Sequence, residues 1–481
     1  MKMRFYSAFI FLIFVLTTTH CYHPPAVKVI PHAERLQDRT LFIALDGVDY
    51  DLIKELRDEG HFQNFLAPIP FISTFPSDTT LGFTGILQPL NVGQVPGYEV
   101  RFYSYKANKV VGGTPFDIYK FPIKYKYFFD SFRHQMHEKA IMYMFPGMAG
   151  KQDLVNAEKV LYESDKKILM TYIGGTDGFS HILGRGRTKK FLIFMDRFLE
   201  RMQERYEYEK GEKLCIVLFS DHGFRHGRLK TVSLGEIKRK FRKHGFSLGS
   251  KIENDTDAVV VPFGLLSAGV MYTPKTHRAA MAHLLADVEG IDIVFWHDDS
   301  NKTIFMKNST GLTARFEYDG LKRYRYVTGS GDPLGYASIL RSNGYHVGQW
   351  IPDATWKSLT TELHYPDVGF RLHDAIFNLV ENPASILFSN KTNYQFGSTI
   401  ARVGTWAKFG HKGTHGGLFR ETTWGVAMSN MPSKKKAPKT LRYDELFTHF
   451  LPQIAKERKI KTGKKEVTVI FSEEQRSKIE K

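Results

Sequence analysis

Uninterrupted apolar runs that end at glycine or aspartate constrain the fold of this chain more than any other feature. The clearest of them cover residues 41–45, 168–173, 214–219 and 258–261. Short runs without alternating polar residues are typical of strands that are buried on both faces. Helical patterns lie between them, for example at 49–57 and 189–206. This alternation predicts an α/β fold, a three-layer sandwich in which helices cover both faces of a mainly parallel central sheet.

The chain is long enough to hold more than one structural unit. It has 481 residues, of which 42% are hydrophobic and 24% are charged, an ordinary globular composition. Beyond residue 266 the sequence pattern changes. A predicted β-α-β unit at 270–296 is followed there by a polar, aromatic-rich stretch with many turn residues. The predicted units are a signal peptide at 1–22, a core at 38–265 and 391–455, an inserted α+β lobe at 266–390, and a basic C-terminal tail at 456–481.

The N-terminus predicts export. Lys2 and Arg4 precede an apolar segment at 5–16, which is the pattern of a secretory signal. This segment is too short for a membrane-spanning helix, which needs about 20 residues, although an uncleaved N-terminal anchor is the alternative. Cys21 lies where a bacterial lipoprotein carries its lipidated cysteine, but His20 stands where that pattern has a small residue. The expected location is therefore periplasmic, in the cell envelope as a possible lipoprotein, or secreted.

The chain is strongly basic. Its 67 lysines and arginines against 50 aspartates and glutamates give a formal charge of +17. Such a surface attracts anions, including phosphorylated small molecules, lipid headgroups and nucleic acid, and charge alone does not choose among them. No motif predicts specific nucleic-acid binding, and peripheral or lipid-anchored membrane association stays open.

Three carboxylates share one topological position. Asp46 ends the run Leu-Phe-Ile-Ala-Leu, Asp177 follows Ile-Gly-Gly-Thr, and Asp221 follows Ile-Val-Leu-Phe-Ser. Each therefore lies at or just beyond the carboxyl end of a predicted strand, which is the edge where open α/β sheets bind their ligands. Three acids at one edge repel each other unless a cation or shared protons neutralise them. The pattern therefore indicates a metal site.

Histidines accompany these acids. His222 directly follows Asp221, His181 lies four residues after Asp177, and His415 lies in the small-residue loop Gly-Thr-His-Gly-Gly. Mixed imidazole and carboxylate ligands suit zinc, with manganese or another divalent ion as the alternative. Each motif alone is also typical of ordinary turns and solvated loops. The specificity comes from their occurring together and in this order.

A candidate nucleophile lies between the first acid and the second. The segment Phe-Pro-Ser-Asp-Thr-Thr at residues 75–80 leads into a helical stretch of small and apolar residues at 81–87. A hydroxyl at a helix N-terminus benefits from the positive end of the dipole and from free N–H groups, which also favour a bound phosphate. An ordinary N-cap is the alternative, since Asp, Ser and Thr all serve as caps.

Taken together, the ordered motifs resemble those of the alkaline phosphatase superfamily, and within it the type I phosphodiesterase/nucleotide pyrophosphatase family. They span residues 46–415, so the resemblance covers most of the chain. It implies two divalent metal ions, most simply Zn²⁺. One ion would be held by Asp46, Asp221, His222 and the nucleophile, and the other by Asp177, His181 and His415.

The same resemblance leaves two candidates for the nucleophile. Bacterial members resemble Phe-Pro-x-x-Thr, which selects Thr79, the residue that we prefer. Eukaryote-like members carry Thr-Phe-Pro-Asn, which would select Thr74, but Ser77 stands here in place of that asparagine. His411, four residues before His415, is expected to be a neighbour of the site rather than a ligand.

The activity that the resemblance implies is metal-dependent hydrolysis of phosphoric esters through a phosphothreonine intermediate. The expected substrate is a small phosphate ester, either a nucleotide or a molecule derived from a phospholipid. Phosphomonoesterase and phosphonate hydrolase activities of the same superfamily are alternatives. A non-catalytic exported binding protein that retains the fold is an alternative from another class.

Overall fold

The computed structural model describes residues 38–113, 123–132, 141–262, 264, 266–298, 302–397, 410–432 and 437–452. The predicted signal peptide, Cys21 and the basic tail from residue 456 lie outside these residues. Within the described ranges, no helix combines the length and the apolar character needed to cross a lipid bilayer.

The described strands form two large sheets and several two-stranded ribbons. In chain order the strands are β1 Arg39–Leu45, β2 Ile69–Ile72, β3 Arg101–Ser104, β4 Lys109–Gly112, β5 Ile168–Ile173, β6 Leu214–Ser220, β7 Arg225–His226, β8 Lys230–Thr231, β9 Ser247–Gly249, β10 Asp257–Val261, β11 Ala268–Tyr272, β12 Ile291–His297, β13 Thr303–Asn308, β14 Thr313–Tyr318, β15 Arg323–Thr328, β16 Ile351–Pro352, β17 Ile386–Asn390, β18 Tyr394–Gln395, β19 Gly413–Thr414, β20 Trp424–Ser429 and β21 Leu441–Arg442.

The helices alternate with these strands. In chain order they are α1 Tyr50–Asp58, α2 Thr79–Leu87, α3 Pro146–Glu163, α4 Gly175–Gly178, α5 Arg185–Lys210, α6 Leu234–Lys243, α7 Arg278–Ala286, α8 Tyr336–Ser342, α9 Asp353–Thr360, α10 Val368–Phe377, α11 Arg420–Thr423 and α12 Leu446–Phe450. A π-helical turn, Phe179–Leu183, continues α4.

The first sheet has the strand order β21-β2-β20-β6-β1-β5. β1 pairs in parallel with β5 on one side and with β6 on the other, and β2 pairs in parallel with β21. β20 runs antiparallel to both of its neighbours, β2 and β6. The predicted α/β class and the mainly parallel sheet are confirmed, with β20 as the reversed strand.

Helices cover both faces of this sheet because the side chains along a strand alternate between its faces. Leu41, Ile43 and Leu45 of β1 pack with residues of α1, α3 and α5 on one face. Phe42 and Ala44 pack with residues of α2 and α12 on the other. All five side chains are fully buried. Burial on both faces explains why β1 is an uninterrupted apolar run in the sequence.

The strands of the segment that we predicted as an inserted lobe, β11 to β17, all lie in the second sheet. Its order is β16-β15-β14-β13-β12-β17-β11-β10-β9. The predicted β-α-β unit consists of β11, α7 and β12, but β17 lies between its two strands and runs antiparallel to both. The run at 258–261, expected in the central sheet, is part of β10 in this second sheet. The sheet therefore begins at Ser247, ahead of the boundary that we expected at residue 266.

The lobe packs directly against the candidate nucleophile segment. One face of the second sheet shares a core with α8, α9 and α10, and the other face shares a core with α6 and α7. Phe75, Leu81 and Leu418 belong to the first of these cores, and the Phe75 ring lies 6.0 Å from that of Phe295 on β12. The lobe therefore contacts the segments that precede Thr79 and follow His415.

The core of the first sheet can be tested at Phe42. Its ring lies 6.4 Å from that of Phe219 and 5.2 Å from that of Phe447. Because its removal leaves a cavity, Phe42→Ala should lower the free energy of unfolding by about 3–5 kcal/mol, measured by chemical denaturation of the full chain. Tyr208 is 90% exposed, so Tyr208→Ala is the control and should change the value by less than about 0.5 kcal/mol. Equal losses in both variants would contradict this packing.

Candidate metal centre

Neighbouring parallel strands bring the three acids to one edge of the first sheet. Asp46 directly follows β1 and Asp221 directly follows β6, while Asp177 lies in α4, four residues beyond the end of β5. The order β6-β1-β5 places these strands side by side and in the same direction. All three carboxylates are buried, with 2% or less of each residue exposed. The sequence therefore brings the acids together as the strand-end pattern predicted.

Gly47 allows this close approach. Its backbone has a φ of +63°, and a Cβ atom there would lie 3.0 Å from Asp177 Oδ1 and 3.2 Å from His222 Cε1. Its N–H donates to Asp221 Oδ1 at 3.1 Å. A side chain at this position would be strained by the backbone and would also crowd the acids. Gly47 is thus needed both for the turn after Asp46 and for the close packing of Asp177 and His222 around it.

Two triads of metal-ligating side chains lie at this edge. In the first, the ligand atoms of Asp46, Asp221 and His222 lie within 4.8 Å of one another. His222 Nε2 is 3.5 Å from Asp46 Oδ1 and 3.5 Å from Asp221 Oδ2. Two atoms bound to one tetrahedral zinc at about 2.0–2.2 Å would lie about 3.3–3.6 Å apart. The first triad is therefore close to the spacing that a shared cation requires.

The second triad consists of Asp177, His181 and His415, whose ligand atoms also lie within 4.8 Å of one another. Asp177 Oδ1 is 3.2 Å from His181 Nε2 and 3.8 Å from His415 Nε2. His181 lies in the π-helical turn one helical turn after Asp177, and His415 follows β19. Residues from distant parts of the chain thus converge on one carboxylate oxygen.

Backbone carbonyls orient all three imidazoles. The Nδ1 atoms lie within hydrogen-bonding distance of a carbonyl oxygen, 3.1 Å from Gly413 for His181, 2.9 Å from Gly223 for His222, and 2.9 Å from Ser77 for His415. A carbonyl oxygen can only accept, so each Nδ1 carries the proton. Each Nε2 lone pair is then free and faces its triad, which is the arrangement found in metal-bound histidines. The rings of His222 and His415 stack at 4.0 Å, so the triads are adjacent.

The electrostatics of the cluster favour a cation. Burial raises the pKa of Asp46 well above its usual value, and the charges of Asp221 and Asp177 raise it further. Burial also raises the pKa of Asp221. At Asp177 burial acts in the same direction, but the neighbouring imidazoles outweigh it and lower the pKa. Burial and the nearby His222 lower the pKa of His415. A bound divalent cation would stabilise the charged form of the crowded carboxylates, and the lowered pKa of His415 favours the neutral imidazole that a metal binds.

Unsatisfied polar atoms point to the same conclusion. Asp177 Oδ1, Asp221 Oδ2 and His222 Nε2 are buried and have no hydrogen-bond partner among the described residues. Buried polar atoms are rarely left without a partner. Their common position in the two triads fits a pair of divalent cations, one in each triad.

The Thr79 hydroxyl contacts the first triad. It is the first residue of α2, and the Asp78 side chain caps this helix by accepting from the Leu81 N–H at 2.9 Å. Thr79 Oγ1 donates to Asp46 Oδ1 at 3.2 Å. Thr79 is half-buried, whereas the flanking Asp78 and Thr80 are buried. The cap is therefore supplied by Asp78, and the Thr79 hydroxyl is available at the site.

Thr74 and Ser77, the residues of the alternative motif, have other contacts. The Thr74 hydroxyl is fully buried and donates to the Pro76 carbonyl at 3.0 Å. The Ser77 hydroxyl donates to the Gly417 carbonyl at 3.2 Å, and the Ser77 carbonyl accepts from His415. Neither hydroxyl bonds to a carboxylate of the triads. The contacts of Thr74 and Ser77 are those of structural residues.

Two tyrosines at the site were not identified from the sequence. The Tyr172 hydroxyl bonds to Asp46 Oδ2, and the Tyr143 hydroxyl donates to Asp177 Oδ2 at 2.8 Å. Each therefore holds the carboxylate oxygen that does not face the imidazole. Tyr172 could have been found from its place near the end of β5, one strand away from Asp46. Tyr143 has no comparable signal, because no predicted element contains it.

His411 lies beside the second triad and is not part of it. Its ring is 5.0 Å from that of His181. Burial lowers its pKa to about 3, and the adjacent His181 contributes to this shift. It is half-buried, at the outer side of the triad. Its position corresponds to the neighbour that the sequence predicted.

Comparisons with known proteins found similarity in solved structures only. No family model and no curated protein matches the chain. Phosphonoacetate hydrolase from Sinorhizobium meliloti 1021, in complex with phosphonoformate, shares 14% identity over 89% of this chain and 99% of its own, with a TM-score of 0.47. Human ectonucleotide pyrophosphatase/phosphodiesterase 5 shares 10% identity over 87% of this chain and 95% of its own, with a TM-score of 0.48.

The murine form of the second protein shares 9% identity over 87% of this chain and 95% of its own, with a TM-score of 0.45. These likenesses are too distant to assign a role to any residue of this chain. The roles of the site residues are therefore inferred from the geometry of the site itself.

The contact between Tyr143 and Asp177 can be tested by metal binding. The Tyr143 hydroxyl donates to Asp177 Oδ2 at 2.8 Å, although 38% of the residue is exposed. Tyr143→Phe removes this donor and should weaken one of two Zn²⁺-binding steps by about 10- to 100-fold, measured by competition with a chromogenic chelator. The other step should change little. Tyr208→Phe, at an exposed position, is the control, and a Tyr143→Phe protein that binds both ions like wild type would contradict this role.

Proposed function

We propose that the chain is a two-metal phosphoric ester hydrolase of the phosphodiesterase/nucleotide pyrophosphatase type, with Thr79 as its nucleophile. The observation that supports it most directly is the hydrogen bond from the Thr79 hydroxyl to Asp46, a member of one cation-binding triad, with the second triad adjacent. A hydroxyl in contact with one cation site and beside another is the arrangement that phosphoryl transfer to an enzyme side chain requires.

In this proposal each triad holds one divalent cation. Asp46, Asp221, His222 and Thr79 bind one, and Asp177, His181 and His415 bind the other. The mixture of donors suits zinc, with two carboxylates, one imidazole and one hydroxyl in the first group and one carboxylate and two imidazoles in the second. Bound cations supply Lewis acidity, which lowers the pKa of a coordinated hydroxyl and neutralises charge on the phosphoryl group.

Thr79 acts in two displacement steps. In the first, its Oγ1 forms a bond to phosphorus as the bond between phosphorus and the leaving oxygen breaks, and the Thr79 proton is released. In the second, a water oxygen attacks phosphorus, the bond to Oγ1 breaks, and Thr79 recovers a proton. One water is consumed overall. The Thr79 and Thr80 N–H groups lie in the first turn of α2, before its first intrahelical hydrogen bonds, and free N–H groups at this end of a helix favour a bound phosphoryl group.

The activity is tested with a chromogenic phosphodiester and a chromogenic phosphomonoester, each assayed with and without a chelator. We expect turnover of the diester that chelation abolishes and Zn²⁺ restores. Turnover of the monoester or of a phosphonate alone would select another activity of the same superfamily. Two bound zinc ions without turnover of any ester would favour a binding protein and contradict the proposal.

The nucleophile is tested with a matched pair of threonine variants. Thr79→Ala should lower kcat by on the order of a thousandfold or more, because the attacking atom is lost, and should leave the Zn²⁺ content nearly unchanged. Thr74→Ala removes a hydroxyl that bonds only within its own segment, so kcat should stay within about tenfold of wild type. Quenched wild-type enzyme should carry phosphate on Thr79, detected by peptide mass spectrometry.

The outcome that contradicts this assignment is the reverse pattern. Full turnover by Thr79→Ala, together with loss of turnover and of phosphopeptide in Thr74→Ala, would identify Thr74 as the nucleophile.

The ligand assignment is tested with a matched pair of histidines. His415→Ala removes an Nε2 that faces Asp177 Oδ1 at 3.8 Å, so the protein should bind one zinc ion fewer by elemental analysis. His411→Ala should retain both ions, because His411 belongs to neither triad. Loss of an ion from His411→Ala but not from His415→Ala would show that the ligands were assigned wrongly.

A further inference from the structure

Arg371, on α10 of the lobe, is fully buried. No carboxylate among the described residues forms an ion pair with it. Its guanidinium instead donates to four backbone carbonyl oxygens: Nε to Ser73 at 2.8 Å, Nη2 to Thr74 at 2.9 Å, and Nη1 to Pro366 and Leu418 at 3.1 Å each. Burial lowers the pKa of Arg371 to about 10, with Asp367 opposing the shift, so the group stays protonated at neutral pH.

Three of these four carbonyls belong to the two segments that carry site residues. Ser73 and Thr74 follow β2 and precede Thr79, while Leu418 lies three residues after His415. A guanidinium is planar and its donors have fixed directions. One side chain of the lobe therefore fixes the main chain of both segments relative to α10.

Ser77 joins the same two segments directly. Its N–H donates to the Gly416 carbonyl at 3.4 Å, its hydroxyl donates to the Gly417 carbonyl at 3.2 Å, and its carbonyl accepts from His415 Nδ1 at 2.9 Å. The Phe75 ring packs between this contact and the lobe, 5.9 Å from the Arg371 guanidinium. Ser77 thus links the two segments directly, and Arg371 links both of them to the lobe.

We propose that Arg371 is a positioning residue that sets the separation between the two cation sites by holding the Thr79 and His415 segments on α10. The inference rests on the proposed two-metal function. Thr79 belongs to the site of Asp46, and His415 belongs to the site of Asp177, so any shift between their segments changes the distance between the cations. Arg371 itself touches neither the triads nor the reacting atoms.

A second buried arginine provides a matched control. Arg442 is 4% exposed, and its guanidinium bonds to the carboxylates of Asp353 and Asp367. Like Arg371 it contacts a residue next to α10, Asp367, but neither partner of its guanidinium lies in the Thr79 or His415 segment. Its replacement should lower stability without changing the geometry of the cation sites.

The experiment compares Arg371→Lys and Arg442→Lys in the full chain loaded with two Mn²⁺ ions. A lysine keeps the charge but cannot reach four carbonyls from one nitrogen. We expect Arg371→Lys to retain both ions, to show an altered Mn–Mn spin coupling by electron paramagnetic resonance, and to lower kcat for a phosphodiester by about 10- to 100-fold with KM little changed. Arg442→Lys should keep the wild-type spectrum and kcat at a comparable loss of thermal stability.

The proposal would be overturned if Arg371→Lys kept the wild-type spin coupling and kcat. It would also be overturned if Arg442→Lys showed the altered coupling and lowered kcat that we expect for Arg371→Lys. If neither Arg371→Lys nor Arg371→Gln folds while Arg442→Lys does, Arg371 acts on stability and the proposal is also wrong. A wild-type protein that binds two Mn²⁺ ions without turnover would contradict the proposed function, while the spin coupling of the variants would still decide the role of Arg371.

Discussion

The mutual repulsion of three buried carboxylates is the constraint on which the rest of this site depends. Asp46, Asp177 and Asp221 are brought together because β6, β1 and β5 are adjacent and parallel. Burial strengthens the repulsion, since the low dielectric of the interior screens it poorly. Backbone carbonyls aim the three imidazoles at the acids, with each Nε2 facing its triad as a metal ligand would. A pair of divalent cations, one in each triad as proposed, would neutralise this charge and satisfy the buried ligand atoms that have no hydrogen-bond partner among the described residues.

The two sheets contribute to the candidate site in different ways. The first sheet supplies the acids at or just beyond the ends of its strands, and side chains on both of its faces are packed in cores. The lobe contributes no ligand among the described residues, yet its α10 face packs against the segments of Thr79 and His415. A hydroxyl at the start of α2, capped by Asp78, can then contact Asp46 without being needed for the helix. The acids of the proposed chemistry thus follow strands of the first sheet, whereas the contacts that would position Thr79 and His415 come from the lobe.

Much of the site could be predicted from the sequence because its signals are local. An apolar run ending at Asp46 or Asp221 marks a strand end, and His181 and His222 lie within four residues of their acids. The rest depends on contacts between residues that are far apart in the chain. Tyr172 meets Asp46 across 126 positions, and Arg371 meets Ser73 across 298. Strand pairing is not encoded by a local pattern either. The sequence therefore did not predict that β17 lies between β11 and β12, or that β10 belongs to the second sheet.

Anomalous diffraction from crystals of the zinc-loaded protein, collected on both sides of the zinc absorption edge, tests the central claim most directly. Two peaks are expected, one bonded to Asp46, Asp221 and His222 and the other to Asp177, His181 and His415, each at about 2.0–2.2 Å. A single peak, or peaks bonded to other residues, would contradict the account.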